Sequence, residues 1–92
     1  MDVMTIDVAA IEVGIRRLLH ENGKLTIDLR KLKDSDDLYD HGLSSLATVG
    51  LMVAIEAEFD IEIPDALLTR DNFRSVGALT RMVEGLRQAA AA

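Results

Sequence analysis

Residues 42–59 have the sequence GLSSLATVGLMVAIEAEF, and this stretch decides the fold of the chain. Apolar residues return there every three or four positions, as they do along an α-helix. Gly42 and the pair Ser44-Ser45 precede the apolar run, and serine is a preferred residue at a helix N-terminus. The stretch therefore predicts a helix that begins at Ser44 or Ser45 and ends at about Phe59.

This predicted helix has apolar side chains on two opposite sides. At about 100° per residue, one side carries bulky residues and the other mostly smaller ones. The bulky side consists of Leu51, Met52, Ile55 and Phe59, and the other side of Leu46, Val49, Gly50, Val53 and Ala57. The pattern alone slightly favours a central helix that its neighbours bury on both sides. An exposed second side would instead be a docking surface, because contiguous exposed apolar patches mark interaction sites.

Three further segments are predicted to be helical. The first runs from about Asp7 to Glu21, where Asp7 caps a stretch with apolar residues three and four positions apart. A short helical turn is expected at Ala66–Arg70, and Ser75 is expected to cap a last helix. Pro64 disfavours helical geometry at the residue before it, which predicts an extended connection between the second helix and the short turn.

These elements predict an all-α fold in a single domain of residues 1–92. We expect a small four-helix bundle with three long helices and one short helix, and a frayed, alanine-rich end at residues 89–92. No stretch of the sequence is apolar for long enough to span a bilayer, and no targeting pattern is visible at the N-terminus. We therefore expect a cytoplasmic protein that does not associate with membranes.

Composition and charge narrow the function classes. The chain has 92 residues, no cysteine, two histidines and a net charge of −6. The absence of cysteine excludes disulfides and thiolate metal sites, and two histidines argue against a structural zinc site. Residues 34–65 hold nine acidic and no basic residues. This acidic segment is a poor match for nucleic acid and a better match for a protein with a basic face. Acidic loops also simply keep small proteins soluble, and composition alone does not reject that explanation.

The serine pair at the start of the second helix is the candidate site. One serine is enough to cap a helix, and Ser44 is placed to do so. Ser45 would then lie in the first turn with its hydroxyl free. A phosphodiester attached to Ser45 would face the unpaired amides and the positive end of the helix dipole. The residues allow such a group without requiring it, because a serine before a helix is most often only a cap.

Residues 40–46 (DHGLSSL) followed by residues 59–64 (FDIEIP) resemble the acyl carrier protein family. In that family a serine at the start of the second helix receives 4′-phosphopantetheine from coenzyme A, which a phosphopantetheinyl transferase attaches. The resemblance implies that Ser45 is the modified serine. The residues that flank it in the motif are Gly42, Leu43, Ser44 and Leu46. The helix order of nearly the whole chain is similar to that of the family.

The sequence departs from the family pattern in ways that indicate a subgroup. Ser44 replaces the usual aspartate, and the positions of Ala47 and Gly50, often acidic in fatty-acid carriers, are uncharged. Leu38-Tyr39, the serine motif with Ala47-Thr48-Val49, and the segment from Leu67 to Phe73 are similar to stand-alone bacterial aminoacyl carrier proteins. The resemblance implies loading by an amino acid:[carrier protein] ligase, a class II enzyme similar to seryl-tRNA synthetases. Such ligases adenylate a small amino acid, typically glycine or alanine, and transfer it to the phosphopantetheine thiol. The candidate docking residues for partners are Ala47, Val49, Gly50, Val53 and Arg70.

Three other functions are weighed against the aminoacyl carrier. A fatty-acyl or other acyl carrier would share the attachment serine. In a helical interaction module, Ser45 would be only a cap residue and would not be modified. A serine hydrolase lacks a visible triad, so we expect no enzyme, and His41 is expected to be a loop residue near the docking surface. The acidic run from Asp34 to Asp40 lacks the ordered ligands of a calcium loop, so we expect no metal site. The carrier is expected to be a monomer that passes its cargo to an unknown acceptor enzyme.

Overall fold

The structure, a computed structural model, describes residues 7–91 and is all-α, as predicted. Within these residues there are three α-helices and three short 3-10 turns, and no β-strand. None of the described helices is long and apolar enough to cross a membrane. The helices are α1 (Val8–Asn22), α2 (Ser45–Phe59) and α3 (Val76–Ala91), and the 3-10 turns are Leu29–Lys31, Leu38–His41 and Asp65–Leu67.

Polar side chains fix where each helix begins. The Asp7 carboxylate accepts hydrogen bonds from the first amides of α1, and the Ser75 hydroxyl accepts one from Ala78 at 3.0 Å. At the start of α2 the Ser44 hydroxyl accepts a hydrogen bond from the Ala47 amide at 3.0 Å. Each cap satisfies amides that have no partner inside the helix. The predicted helix starts are therefore confirmed.

The central helix of the bundle is α1, which packs against both α2 and α3. Its buried side chains meet those of the other two helices and of the loop anchors in one apolar core. The fully buried members of the core are Ile15, Leu19, Leu38, Leu51, Ile55, Phe73, Val76, Leu79 and Val83. Because α1 occupies the centre, α2 has only one side to bury.

The contact between α1 and α2 depends on a glycine. A Cβ atom at Gly14 would lie 2.9 Å from the Cζ atom of Phe59, which leaves no room for a side chain there. Beside this contact, Arg17 forms an ion pair with Glu58 at 2.7 Å, and the hydrogen bond from the guanidinium to that carboxylate raises the pKa of Arg17. Because Gly14 has no side chain, the Phe59 ring at the end of α2 packs directly against the backbone of α1.

The long connection between α1 and α2 is tied to the bundle by backbone hydrogen bonds. The Leu38 amide donates to the carbonyl of Arg74 at 2.7 Å, and the Gly77 amide donates to the carbonyl of Asp34 at 2.9 Å. Leu32 and Leu38 are buried in the core. The acidic end of this connection is thus held against the start of α3 and delivers the chain to α2 in a defined direction.

The predicted short fourth helix at Ala66–Arg70 is not an α-helix. The chain forms a single 3-10 turn at Asp65–Leu67 directly after Pro64, and Leu68 leaves helical geometry with φ −81° and ψ 66°. The side-chain amide of Asn72 donates to the Leu67 carbonyl at 2.9 Å and so replaces the next helical hydrogen bond. Residues 7–91 thus form three α-helices and three 3-10 turns, and the short fourth helix is not confirmed.

Helix α3 continues through residues 89–91 of the alanine-rich end. Ala92 lies outside the described residues. The fraying expected for residues 89–92 stays a prediction.

Candidate functional site

The two serines at the start of α2 have different roles. Ser44 is the N-cap, with extended backbone angles (φ −101°, ψ 167°) and a hydroxyl bonded to the Ala47 amide. Its carbonyl accepts two hydrogen bonds from Thr48, from the amide at 2.9 Å and from the hydroxyl at 2.8 Å. Ser45 is the first residue of the helix, its side chain is exposed, and its hydroxyl forms no hydrogen bond with residues 7–91. The prediction that Ser44 caps the helix and leaves Ser45 free is confirmed.

Gly42 and Leu43 set the position of this serine pair. Gly42 has φ 102°, a backbone conformation that favours glycine, and its amide closes the turn Leu38–His41. Leu43 is buried in the core, and its amide donates to the Leu38 carbonyl at 3.0 Å. The turn and the buried leucine together fix the path of the backbone into Ser44 and Ser45.

The start of α2 suits an anionic group on Ser45. The first amides of a helix lack partners inside it, and the Ser44 side chain satisfies only that of Ala47. The amides of Ser45 and Leu46 therefore lie at the positive end of the helix dipole without an intrahelical acceptor. An exposed hydroxyl that the fold does not use for capping is free to carry a phosphodiester.

Ser45 also lines a groove of about 310 Å³ between α2 and the connection to α3. Its lining includes Tyr39, Ser45, Val49, Met52, Arg70 and Phe73 and no acidic residue. The Arg70 guanidinium lies 3.8 Å from the centre of the Tyr39 ring. The structure thus brings Arg70 to the same groove as Ser45. Tyr39 is a groove residue that the sequence analysis missed as a site residue, although its pairing with a cation is a common use of tyrosine.

The second apolar side of α2 is exposed, contrary to the slight preference for burial on both sides. Leu46 is 81% exposed, and Val49 and Val53 are each 55% exposed. Gly50 lies between them, and a Cβ atom there would meet nothing within 4 Å. Leu46, Val49, Gly50 and Val53 are called the docking face below. The burial preference was wrong because α1, not α2, is the central helix.

Ala47 is a predicted docking residue that the structure places elsewhere. Its side chain is buried in the core, in the stripe that continues through Leu51 and Ile55. Residues four positions apart share one face of a helix, so Ala47 belongs to the core side of α2. Its small size allows the start of α2 to approach the core, and it cannot contact a partner through an exposed side chain.

The acidic residues before α2 serve the local structure. Asp37 caps the turn Leu38–His41 through the Tyr39 amide at 2.9 Å, and Asp34 pairs with Arg16 at 2.6 Å. The His41 carbonyl accepts hydrogen bonds from the amide and the hydroxyl of Thr26. Within the part of the chain that the structure describes, no group of three or more potential ligands is arranged to hold a metal ion.

Comparison with known families decides what kind of site this is. A profile of the family described as "Phosphopantetheine attachment site" matches residues 15–83, well over half of the chain and the whole of α2. The chain belongs to this family. It is a carrier domain and not an enzyme, and its cofactor is 4′-phosphopantetheine. The resemblance stated from the serine motif is therefore confirmed.

Relatives of the chain include proteins of known carrier type. An aminoacyl carrier protein of Agrobacterium fabrum is 46% identical over 70 residues, which cover 76% of this chain and 84% of the relative. Among solved structures, the carrier protein of Agrobacterium tumefaciens in complex with an engineered Bradyrhizobium japonicum glycine:[carrier protein] ligase and ATP is 43% identical. It has a TM-score of 0.77, over 80% of this chain and 96% of that one. A glycylated carrier protein complexed with the Bradyrhizobium japonicum ligase is 37% identical, with a TM-score of 0.60 over 88% and 99% of the two chains.

Proposed function

We propose that this chain is an aminoacyl carrier protein in which Ser45 bears 4′-phosphopantetheine and a small amino acid is held on its thiol as a thioester. The observation that best supports the proposal is that the two serines at the start of α2 have different roles. Ser44 caps the helix, and Ser45 projects an unbonded, exposed hydroxyl into an open groove. Gly42, Leu43, Ser44 and Leu46 flank Ser45 and set its position.

The chemistry of the carrier divides between cofactor and protein. The phosphopantetheine group supplies the thiol that accepts the aminoacyl group. The chain supplies the anchor at Ser45, the helix N-terminus that favours a phosphate anion, and a surface by which enzymes recognise it. Attachment transfers phosphopantetheine from coenzyme A to the Ser45 oxygen, with loss of the hydroxyl proton and release of adenosine 3′,5′-bisphosphate.

The amino acid cargo is supported by the relatives and by the surface. The similar structures named above include a carrier protein bearing glycine in complex with a glycine:[carrier protein] ligase. From Ser45 to Ile55 helix α2 has no charged residue. We therefore propose loading with glycine or alanine by an amino acid:[carrier protein] ligase. This enzyme adenylates the amino acid with ATP and releases pyrophosphate, then transfers the aminoacyl group to the thiol and releases AMP.

We further propose that the ligase binds the docking face. Leu46, Val49 and Val53 are exposed large apolar residues, and removing them from water would favour association. Gly50 leaves the centre of this face flat, so a partner helix can approach closely. Arg70 lies at the edge of the adjoining groove and offers a partner one cation beside an otherwise uncharged surface. The ligase surface that fits this face is apolar at its centre.

The experiment that tests the carrier function is intact-protein mass spectrometry after incubation with coenzyme A and a broad-specificity phosphopantetheinyl transferase. The wild type and Ser44→Ala are expected to gain the mass of one phosphopantetheine, and Ser45→Ala to gain none. Subsequent addition of the ligase, ATP and glycine or alanine is expected to add one aminoacyl group to the modified proteins. A folded wild type that gains no mass with an active transferase would overturn the proposal. In that case an unmodified interaction module would be the better account.

The cytoplasmic location, the monomeric state and the downstream acceptor enzyme stay predictions. Coenzyme A and ATP, which the proposed loading requires, are abundant in the cytoplasm, and this is what supports that location. Size-exclusion chromatography with light scattering checks the monomeric state.

A further inference from the structure

The end of α1 and the segment that follows it line a groove of about 540 Å³ that the proposed function does not use. Its floor is the buried Leu19 of α1, and its apolar walls are Leu25, Ile27 and Leu29, which alternate with other residues along the chain. These three side chains are half-buried and pack against the core. Among residues 7–91, this groove shares no lining residue with the docking face or with the groove beside Ser45.

The edge of this groove is basic, although the chain as a whole is acidic. His20, Lys24 and Arg30 line it. Residues 24–33 hold four basic residues and one acidic residue, whereas the whole chain has a net charge of −6. Lys24 is exposed and forms no ion pair with any of residues 7–91. Its ammonium group is therefore available to an anion.

The one carboxylate that lines this groove already has a partner. Asp28 accepts a hydrogen bond from the Arg30 guanidinium at 2.8 Å and another from the Arg30 amide at 2.9 Å. These two contacts lower the pKa of Asp28 and keep it ionised. The ion pair neutralises Asp28, so Lys24 is the charge of the lining that is left without compensation.

We propose that this groove is a second docking site, which binds an acidic segment of a partner protein with an aliphatic side chain in the segment. Charge complementarity decides the occupant, because Lys24 attracts a carboxylate and the groove contains no unpaired carboxylate that would repel it. The apolar walls remove an aliphatic side chain from water. A nucleic acid or an anionic lipid surface fits less well, since the net charge of −6 repels an extended polyanion.

The position of this groove allows a partner to bind there while the docking face stays open. Thr26 lies between two of its wall residues, and it donates hydrogen bonds to the His41 carbonyl from its amide at 2.8 Å and its hydroxyl at 3.0 Å. His41 belongs to the turn that leads into Ser44 and Ser45. The acidic partner surface is thus held on the segment beside the serine pair. It differs from the apolar surface proposed for the ligase.

The test is an NMR titration of the isotope-labelled, unmodified chain with a peptide of stated composition. The probe is a short peptide of glutamate and glycine around a central pair of leucines, and the control peptide has lysine in place of each glutamate. We expect the acidic peptide to shift the amide signals of Lys24, Leu25, Ile27 and Leu29, and the lysine peptide to leave them unchanged. Physiological salt, with a Debye length of about 8 Å, suppresses the effect of distant charges.

Three variants show whether the charges of the groove cause the binding. Lys24→Asn should raise the Kd of the acidic peptide about fivefold, as expected for one exposed charge pair, and asparagine tolerates the left-handed backbone of this residue (φ 52°). Arg30→Gln should raise it by about fivefold or more, because Asp28 loses its partner and repels the peptide. Lys33→Asn is the matched control. It makes the same change as Lys24→Asn outside the lining and should alter the Kd less than about twofold.

Several results would overturn the inference. They are absence of binding, equal binding of the two peptides, shift changes confined to the docking face, and an unchanged Kd in Lys24→Asn and Arg30→Gln. The same shift changes in the free chain at rising concentration would make a second copy the occupant. Binding to phosphatidylglycerol vesicles without binding to the acidic peptide would make it a lipid surface. The titration uses the unmodified chain, so it is independent of the phosphopantetheine mass gain that tests the carrier function.

Discussion

Helix α2 has two apolar sides, of which one is buried and the other is exposed. Leu51 and Ile55 are fully buried against the core, while Leu46 is 81% exposed and Val53 is 55% exposed. Both sides consist of apolar residues, so hydrophobicity alone does not distinguish them. The difference arises from the rest of the fold, because α1 is the helix that packs against both others. Apolar residues that the fold leaves exposed are available for function.

The largest expected effect is a difference in stability between alanine variants on the two sides of α2. Leu51→Ala should lower the free energy of unfolding by about 3 kcal/mol, since it removes a fully buried side chain and leaves a cavity. Leu46→Ala makes the same chemical change on the docking face and should change it by less than about 0.5 kcal/mol. Urea unfolding followed by circular dichroism measures both. Similar losses in the two variants would mean that Leu46 is buried in solution.

Alanine variants of Ser44 and Ser45 should show a smaller difference in stability. Ser44→Ala should lower the free energy of unfolding by about 1 kcal/mol, because the Ala47 amide loses its cap. Ser45→Ala should change it by less than about 0.5 kcal/mol, since the Ser45 hydroxyl bonds to none of residues 7–91. Thermal unfolding of the unmodified proteins checks this. A larger loss of stability in Ser45→Ala than in Ser44→Ala would show that Ser45, and not Ser44, caps the helix.

Two glycines offer effects of opposite sign, and the gain at Gly50 is the smallest change expected. Gly50 lies on the docking face of α2, and Gly14 lies on α1 against Phe59 of α2. Gly50→Ala should stabilise the protein by about 0.5 to 1 kcal/mol, because an open helical glycine gains helix propensity without a clash. Gly14→Ala should not gain this, because its Cβ atom would lie 2.9 Å from the Phe59 ring, and overpacking costs about 1 to 3 kcal/mol. Chemical unfolding of both variants measures the difference. A stabilised Gly14→Ala would show that Phe59 moves aside freely.

Much of this fold is predictable from local sequence. Asp7, Ser44 and Ser75 each start a helix because a short polar side chain can satisfy the first amides, and this depends only on neighbouring residues. The division between Ser44 and Ser45 follows in the same way. The identity of the cofactor was predicted from the resemblance of the serine motif to the family.

The differences from the prediction concern side-chain contacts that the local sequence pattern does not reveal. The exposure of the docking face depends on which helix is central, and the burial of Ala47 depends on the core beneath α2. The short fourth helix is not confirmed: residues Asp65–Leu67 form a 3-10 turn, and the Asn72 side chain donates a hydrogen bond to the Leu67 carbonyl. The stacking of Arg70 on Tyr39 joins residues more than thirty positions apart, and local pattern gave no signal for it.

The central claim is that the exposed side of α2 exists for the ligase, and one pair of valines tests it most directly. Val53 is 55% exposed on the docking face, and Val13 is 69% exposed on α1. The measurement is kcat/KM for aminoacyl loading of the phosphopantetheine forms of Val53→Ser and Val13→Ser by a glycine:[carrier protein] ligase that loads the wild type. We predict a decrease of about fivefold to thirtyfold for Val53→Ser, as expected for 1 to 2 kcal/mol of lost apolar contact, and a change of less than about twofold for Val13→Ser. Equal rates in the two variants, or a larger loss in Val13→Ser, would contradict the assignment of this face.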